Sequence, residues 1–203
     1  MGRPRQFDEE VVRDTTVRCF WNRGYEATSI KDLIEETGIN AASLYNAFGD
    51  KRALFRMALD RYVERGIGER IRRFESMPPR EAIGAFFEDV LHRSLSDAER
   101  KGCMVVNSAL ELAPHDAEFR DIISDVLVRI EGFFLKCIKA GQTDGTITCS
   151  VPARSLAHHL LAVLMGVRVL ARVRPGKAVL EGAIRPAIAL LDSVGPEPAA
   201  SHA

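Results

Sequence analysis

Apolar residues recur at helical spacing along almost the whole chain. The spacing of Val12, Val17, Phe20 and Trp21 predicts a first helix over Asp8–Arg23, capped by Asp8 and ended by Gly24. Ile30, Leu33 and Ile34 define a second, short helix, with Ser29 as cap and Asp32 placed to close a capping box. Gly38 supplies a turn, and Asn40 caps a third short helix whose inward residues are Leu44 and Phe48. Asp50 starts a fourth helix that the pattern carries without a break through Arg73, up to Met77-Pro78-Pro79. Beyond it the periodicity predicts helices over 82–95, 102–113, 117–140, 153–172 and 177–193, with a tight turn at 141–145. The Pro/Ala-rich tail, 195–203, reads as disordered.

Strand-like alternation is nearly absent, so an all-α fold is expected. With 203 residues and 46% hydrophobic content the chain can bury a full core. The formal net charge is zero, which argues against a general nucleic-acid coater but leaves room for local positive charge. The cysteines Cys19, Cys103, Cys137 and Cys149 show neither metal-ligand nor disulfide-framework spacing. His158 and His159 are adjacent and point about 100° apart on a helix, so they do not share a metal. No metal and no cofactor is expected. The absence of an apolar N-terminal run predicts no signal peptide, and the apolar stretch 160–171 is too short to span a bilayer. A cytoplasmic protein with no membrane partner is the expectation.

The stretch 28–54 carries the most chemistry. Between the inward residues of the third helix lie Ala41, Ala42, Ser43, Tyr45 and Asn46, which are small or hydrogen-bonding. A short helix with such an outer face fits the major groove of DNA. Tyr45 follows a core leucine and so points outward. Lys51 sits in the first turn of a helix, where a cation opposes the dipole and a DNA phosphate would account for it. Arg3 and Arg5 lie on a short arm without acids, which reads equally as suited to a minor groove or as a frayed, solvated terminus.

These residues resemble the N-terminal domain of the TetR family of bacterial transcriptional regulators. The resemblance rests on Phe20, Gly24, Tyr25, Thr28 and Ser29, then on T-G-I-N-A-A-S-L-Y-N-A-F-G-D-K-R-A-L-F from Thr37 to Phe55. It implies a helix-turn-helix DNA-binding domain over 1–52 and a helical ligand-binding and dimerisation domain over 53–194. It further implies a repressor that binds a palindromic double-stranded DNA operator as a homodimer and is released by an unidentified small-molecule or electrophile inducer. By position, Thr28 and Ser29 would hold a phosphate, Asn40, Ala41, Ala42, Ser43 and Asn46 would face bases, and Tyr45 and Lys51 would grip the backbone. The family more often has serine or threonine where Asn40 stands, and the alanine pair leaves little direct hydrogen bonding.

Inducer-lining candidates are Phe87, Cys103, Asn107, Glu111, Phe134 and Met165, with ordinary core the default reading for Phe87, Phe134 and Met165 at helical spacing. Asn107 and Glu111 share one face of an apolar helix and need partners if buried. Cys103 reads either as a thiol activated at a helix N-terminus or, the favoured reading, as a small buried hydrophobe. Leu156, Leu160, Val163 and Val167 on one helix, with Ala183, Ala187 and Leu190 on the next, are the expected dimer interface. No G-x-S-x-G, H-E-x-x-H, Walker A or G-x-G-x-x-G occurs, so a small-molecule-handling enzyme is the weaker alternative, beside an adaptor that does not bind DNA.

Overall fold

The computed structural model describes residues 7–192, and these are helical with no strand. Arg3, Arg5 and the 195–203 tail lie outside the described residues. The helices are α1 (Glu9–Arg23), α2 (Ile30–Thr37), α3 (Ala41–Phe48), α4 (Lys51–Tyr62), α5 (Glu69–Phe74), α6 (Pro79–Ser96), α7 (Met104–Glu111), α8 (Ala117–Asp144), α9 (Ala153–Val173) and α10 (Lys177–Ala189). A π-helical segment, Val63–Gly68, separates α4 from α5.

The described residues form two compact units, the first up to residue 69 with 101–126, the second 70–100 with those from 127 onward. The first unit therefore takes in α7 and the start of α8, which a division at residue 52 would leave out. In it α1 packs on α2 and α4, and α4 on α7. Phe20, Leu33, Leu44, Leu54, Phe55 and Leu59 are fully buried. Phe55 takes the edge-to-face arrangement with Phe20 at 5.0 Å, Tyr25 at 5.0 Å and Phe119 at 5.2 Å, which aromatic quadrupoles favour. In the second unit α10 packs on α9 and α6. Its core includes Phe86, Phe87, Phe133 and Phe134, with Phe87 stacked on Phe134 at 5.7 Å.

The predicted caps at Asp8, Ser29, Asn40 and Asp50 are all made. Three of the differences from the sequence pattern have a clear physical cause. The fourth helix is not uniform. Its buried residues Leu59, Val63, Ile67 and Ile71 recur every four positions, a spacing that drifts about 40° per step in an α-helix. The wider π turn holds them on one side, and Gly66 and Gly68 lie within it. Residue Gly102 lies outside α7 because its φ is +70°, so Cys103 becomes the N-cap residue. Gly141 lies inside α8, and only Gly145 turns, with φ +82°. Gly141 answers a packing need instead. A Cβ there would stand 2.6 Å from the Ile147 side chain.

Helix α9 has 21 residues and a mean hydropathy of 1.5 over an 18-residue window, the length and composition of a membrane span. It is longer than the apolar run suggested. Its Leu156, Ala157, Leu160, Leu164, Val167 and Ala171 nonetheless form a buried core face, while His158, His159 and Arg172 are exposed.

Candidate nucleic-acid interface

Helix α3 is held from both ends and from below. The Asn40 side-chain Oδ1 accepts from the Ser43 N–H at 2.9 Å, Gly49 closes the C-terminus with φ +82°, and Leu44 is fully buried. Phe48 lies between the Phe7 ring, 6.4 Å away, and the Arg13 guanidinium, 5.2 Å from its centroid. Asn40, Ala42, Tyr45 and Asn46 are exposed, while Ala41 and Ser43 are half-buried. Tyr45 is 46% exposed, large for an aromatic beside a core leucine. Since the Asn40 oxygen serves as the cap, its amide N–H₂ is the group left to face a partner.

Thr28 does not fit the phosphate role. It is fully buried, and its hydroxyl donates to the Gly24 carbonyl at 2.6 Å. Its N–H donates to the Tyr25 carbonyl at 3.3 Å. Both donors thus stabilise the turn before α2. Ser29 is exposed but engaged, because Asp32 accepts from its N–H at 2.7 Å and from its hydroxyl at 2.6 Å. These bonds hold the Asp32 carboxyl below its usual range. The Asp32 carboxylate thus takes up the Ser29 donors that would otherwise face a phosphate. Lys51 is half-buried, its Nζ 4.4 Å above the Tyr25 ring and 3.4 Å from the Glu26 carbonyl. A cation–π contact therefore accounts for its place in the first turn of α4 without a phosphate.

Two clamps support this head, of which the sequence pattern left the first open and missed the second. Glu111 of α7 accepts from the backbone N–H groups of Tyr25, at 3.1 Å, and Glu26, at 2.8 Å. Gly24 makes room for it with φ +85°, and a Cβ there would stand 2.8 Å from the carboxylate. Arg52, at the start of α4, pairs with Asp116 and, at 2.7 Å, with Glu118, and lies 4.8 Å over the Phe119 ring. Hydrogen bonding to Arg52 brings the Asp116 carboxyl down to about 2. On the other side of α4, Arg61 and Arg65 pair with Asp14 and Glu10 of α1. The half-buried Asn107–Glu111 spacing was a visible signal of partners, but they are backbone groups of the same unit.

The inducer candidates separate accordingly. Cys103, Asn107 and Glu111 belong to the first unit, and Phe87, Phe134 and Met165 to the second. Glu111 is occupied as described. Asn107 donates to the Lys101 carbonyl at 3.0 Å, a structural bond. Cys103 is buried. Phe134 is buried behind Phe87, and Met165 is half-buried. Phe87 alone among them lines a described cleft, of about 420 Å³, between α6 and α10.

The dimer candidates need a similar correction. Leu156, Leu160, Val167 and Ala187 are buried within the protomer and are not available to a partner. Val163 and Ala183 are half-buried, and Leu190 is 51% exposed. The exposed stripes of these helices carry His159, Ala162, Gly166 and Val169 on α9, and Gly182, Pro186 and Ala189 on α10. Most of the leucines of α9 and α10 went to the protomer's own core, and the exposed stripes are mainly of small residues.

A short capped helix presented outward on a packed three-helix head is the arrangement of helix-turn-helix DNA-binding regulators. Residues 12–58 match the family described as "Bacterial regulatory proteins, tetR family", and residues 79–187 match "Tetracyclin repressor-like, C-terminal domain". The chain belongs to the TetR family of bacterial transcriptional regulators. It is 31% identical to the uncharacterized HTH-type transcriptional regulator YezE of Bacillus subtilis, over 95% of this chain and 100% of that protein. It is 30% identical to the HTH-type transcriptional repressor ComR of Escherichia coli, over 84% and 82% of the two chains. Among solved structures, a cysteine-substituted form of the TetR family regulator CifR, complexed with 26-bp operator DNA, superposes with a TM-score of 0.84. The two are 31% identical over 94% of this chain and 100% of that one.

Proposed function

We propose that this regulator is a repressor that binds a palindromic operator as a homodimer and leaves it when a small molecule binds the second unit. The observation that carries the DNA-reading part is the outward set Asn40, Ala42, Tyr45 and Asn46 on a helix whose Leu44 is locked in the core. Asn46 and the Asn40 amide supply hydrogen bonds to base edges, Ala42 a methyl contact to thymine, and Tyr45 a backbone contact. Lys51 joins them if DNA draws it off the Tyr25 ring. Arg3 and Arg5 supply further positive charge suited to a minor groove.

Support for repression comes from relatives named as repressors and from CifR solved on operator DNA. Dimerisation through α9 and α10 is supported by their exposed small-residue stripes. The two recognition helices would then sit on the order of 34 Å apart, one DNA turn. An inducer acts by favouring a state in which that spacing fails. Such a protein works in the cytoplasm and catalyses no reaction.

Gel-shift titration against the DNA upstream of its own gene tests this reading. Retention by the unliganded protein, with affinity falling steeply as salt rises, is expected. Tyr45→Ala weakens every sequence alike, while Asn46→Ala costs about 1–3 kcal/mol at one base position and relaxes the preference there. Retention of no fragment, or salt-insensitive retention, overturns it. Full inducer response in Cys103→Ser excludes an electrophile acting at that thiol.

A further inference from the structure

We infer that the α6–α10 cleft of the second unit is a binding site for an organic cation with an apolar body. The site is independent of the operator-binding reading, because its occupation is read on the free protein. At about 420 Å³ the cleft falls within the range of small-molecule sites. Phe87, Leu91, Ile184 and Ile188 give it an apolar lining.

The charges of the lining select the ligand. Arg80 is neutralised by Asp192, at 2.9 Å, and Arg185 by Glu181, at 3.0 Å. Glu181 is also approached by Lys177, which does not line the cleft, at 3.8 Å. Of the five charged lining residues, Glu88 alone makes no ion pair or hydrogen bond among the described residues. The cleft thus combines an apolar surface with one unmatched carboxylate. A cation answers both features, whereas an anion would meet Glu88 and find both guanidiniums already paired.

Gly84 is the second observation. It lies inside α6, where glycine costs about 1 kcal/mol relative to alanine. No tight packing requires it. A Cβ there would meet only the Arg80 Nη1, at 3.7 Å, and Gly84 lines the cleft. The residue therefore keeps volume open at the expense of helix propensity.

Calorimetric titration and thermal shift of the full chain test the inference, at constant ionic strength. The probes are hexyltrimethylammonium, its neutral counterpart hexanol and the anion hexanoate. Saturable binding of the cation at one site per chain is expected, with the other two at least about fivefold weaker. Glu88→Gln brings the cation down to the level of hexanol. Gly84→Leu abolishes binding of the cation, and the smaller Gly84→Ala weakens it while raising Tm. Equal binding of hexanoate, or unchanged cation binding in a folded Gly84→Leu or Gly84→Ala variant, overturns the inference. So does a change of self-association in either variant with cation binding intact, since a second copy would then be what fills the cleft.

Discussion

At the scale of single residues, Gly24 and Glu111 form one device. The carboxylate satisfies two backbone N–H groups of the turn before α2, and the missing Cβ lets it approach. Glu111→Ala is expected to cost about 1–3 kcal/mol and to speed amide exchange at Tyr25 and Glu26. Gly24→Ala carries both a left-handed φ and a clash with that carboxylate. Since the clash vanishes with Glu111, the double variant should lose less stability than the sum of the two, as denaturant unfolding would show. An additive result would mean that the carboxylate does not sit where the glycine leaves room. Asn40→Ala should cost about 1 kcal/mol through the lost cap, and Asn40→Gly only a few tenths.

Among elements, the π-helical segment is where the sequence pattern and the structure part most clearly. The four-residue recurrence of Leu59, Val63, Ile67 and Ile71 is visible in the sequence, but it reads equally as a drifting α-helical stripe. Nothing local distinguishes the two. Gly66 has open space around its Cβ position, so Gly66→Ala should raise Tm through helix propensity alone. By contrast the capped helices α1 to α4 were legible, because their start signals are local and each cap binds within a few residues. Which face of α9 points outward was not. A sequence shows that a helix is apolar, but its own protomer and a partner compete for that surface. Leu160 and Val167 went to the first and Ala162 and Gly166 stayed outside. Likewise, Glu111 was legible as a polar group on an apolar face, but its partners lie more than eighty residues earlier in the chain.

For the molecule as a whole, acid should act on both units. In the second, burial alone would raise the Asp89 carboxyl, but hydrogen bonds and charge from Arg70, Arg73 and Arg93 prevail and hold it at about 2. A carboxyl whose folded value is depressed stabilises the fold above its unfolded value and loses that contribution as pH falls through the folded one. Stability from Asp89, about 2 kcal/mol, should therefore be full above pH ~5 and decline toward pH ~2. Asp89→Asn should be less stable at neutral pH and show a flatter acid limb in urea titrations. The first unit has a further consequence, for anyone exchanging DNA-reading heads between regulators of this kind. The natural seam, between the matched stretches 12–58 and 79–187, cuts through a compact body that includes residues 101–126. A hybrid joined there would inherit Tyr25 and Arg52 from one parent, and the counterparts of Glu111 and Asp116 from the other. A transplanted head should keep its stability only when residues 101–126 travel with it.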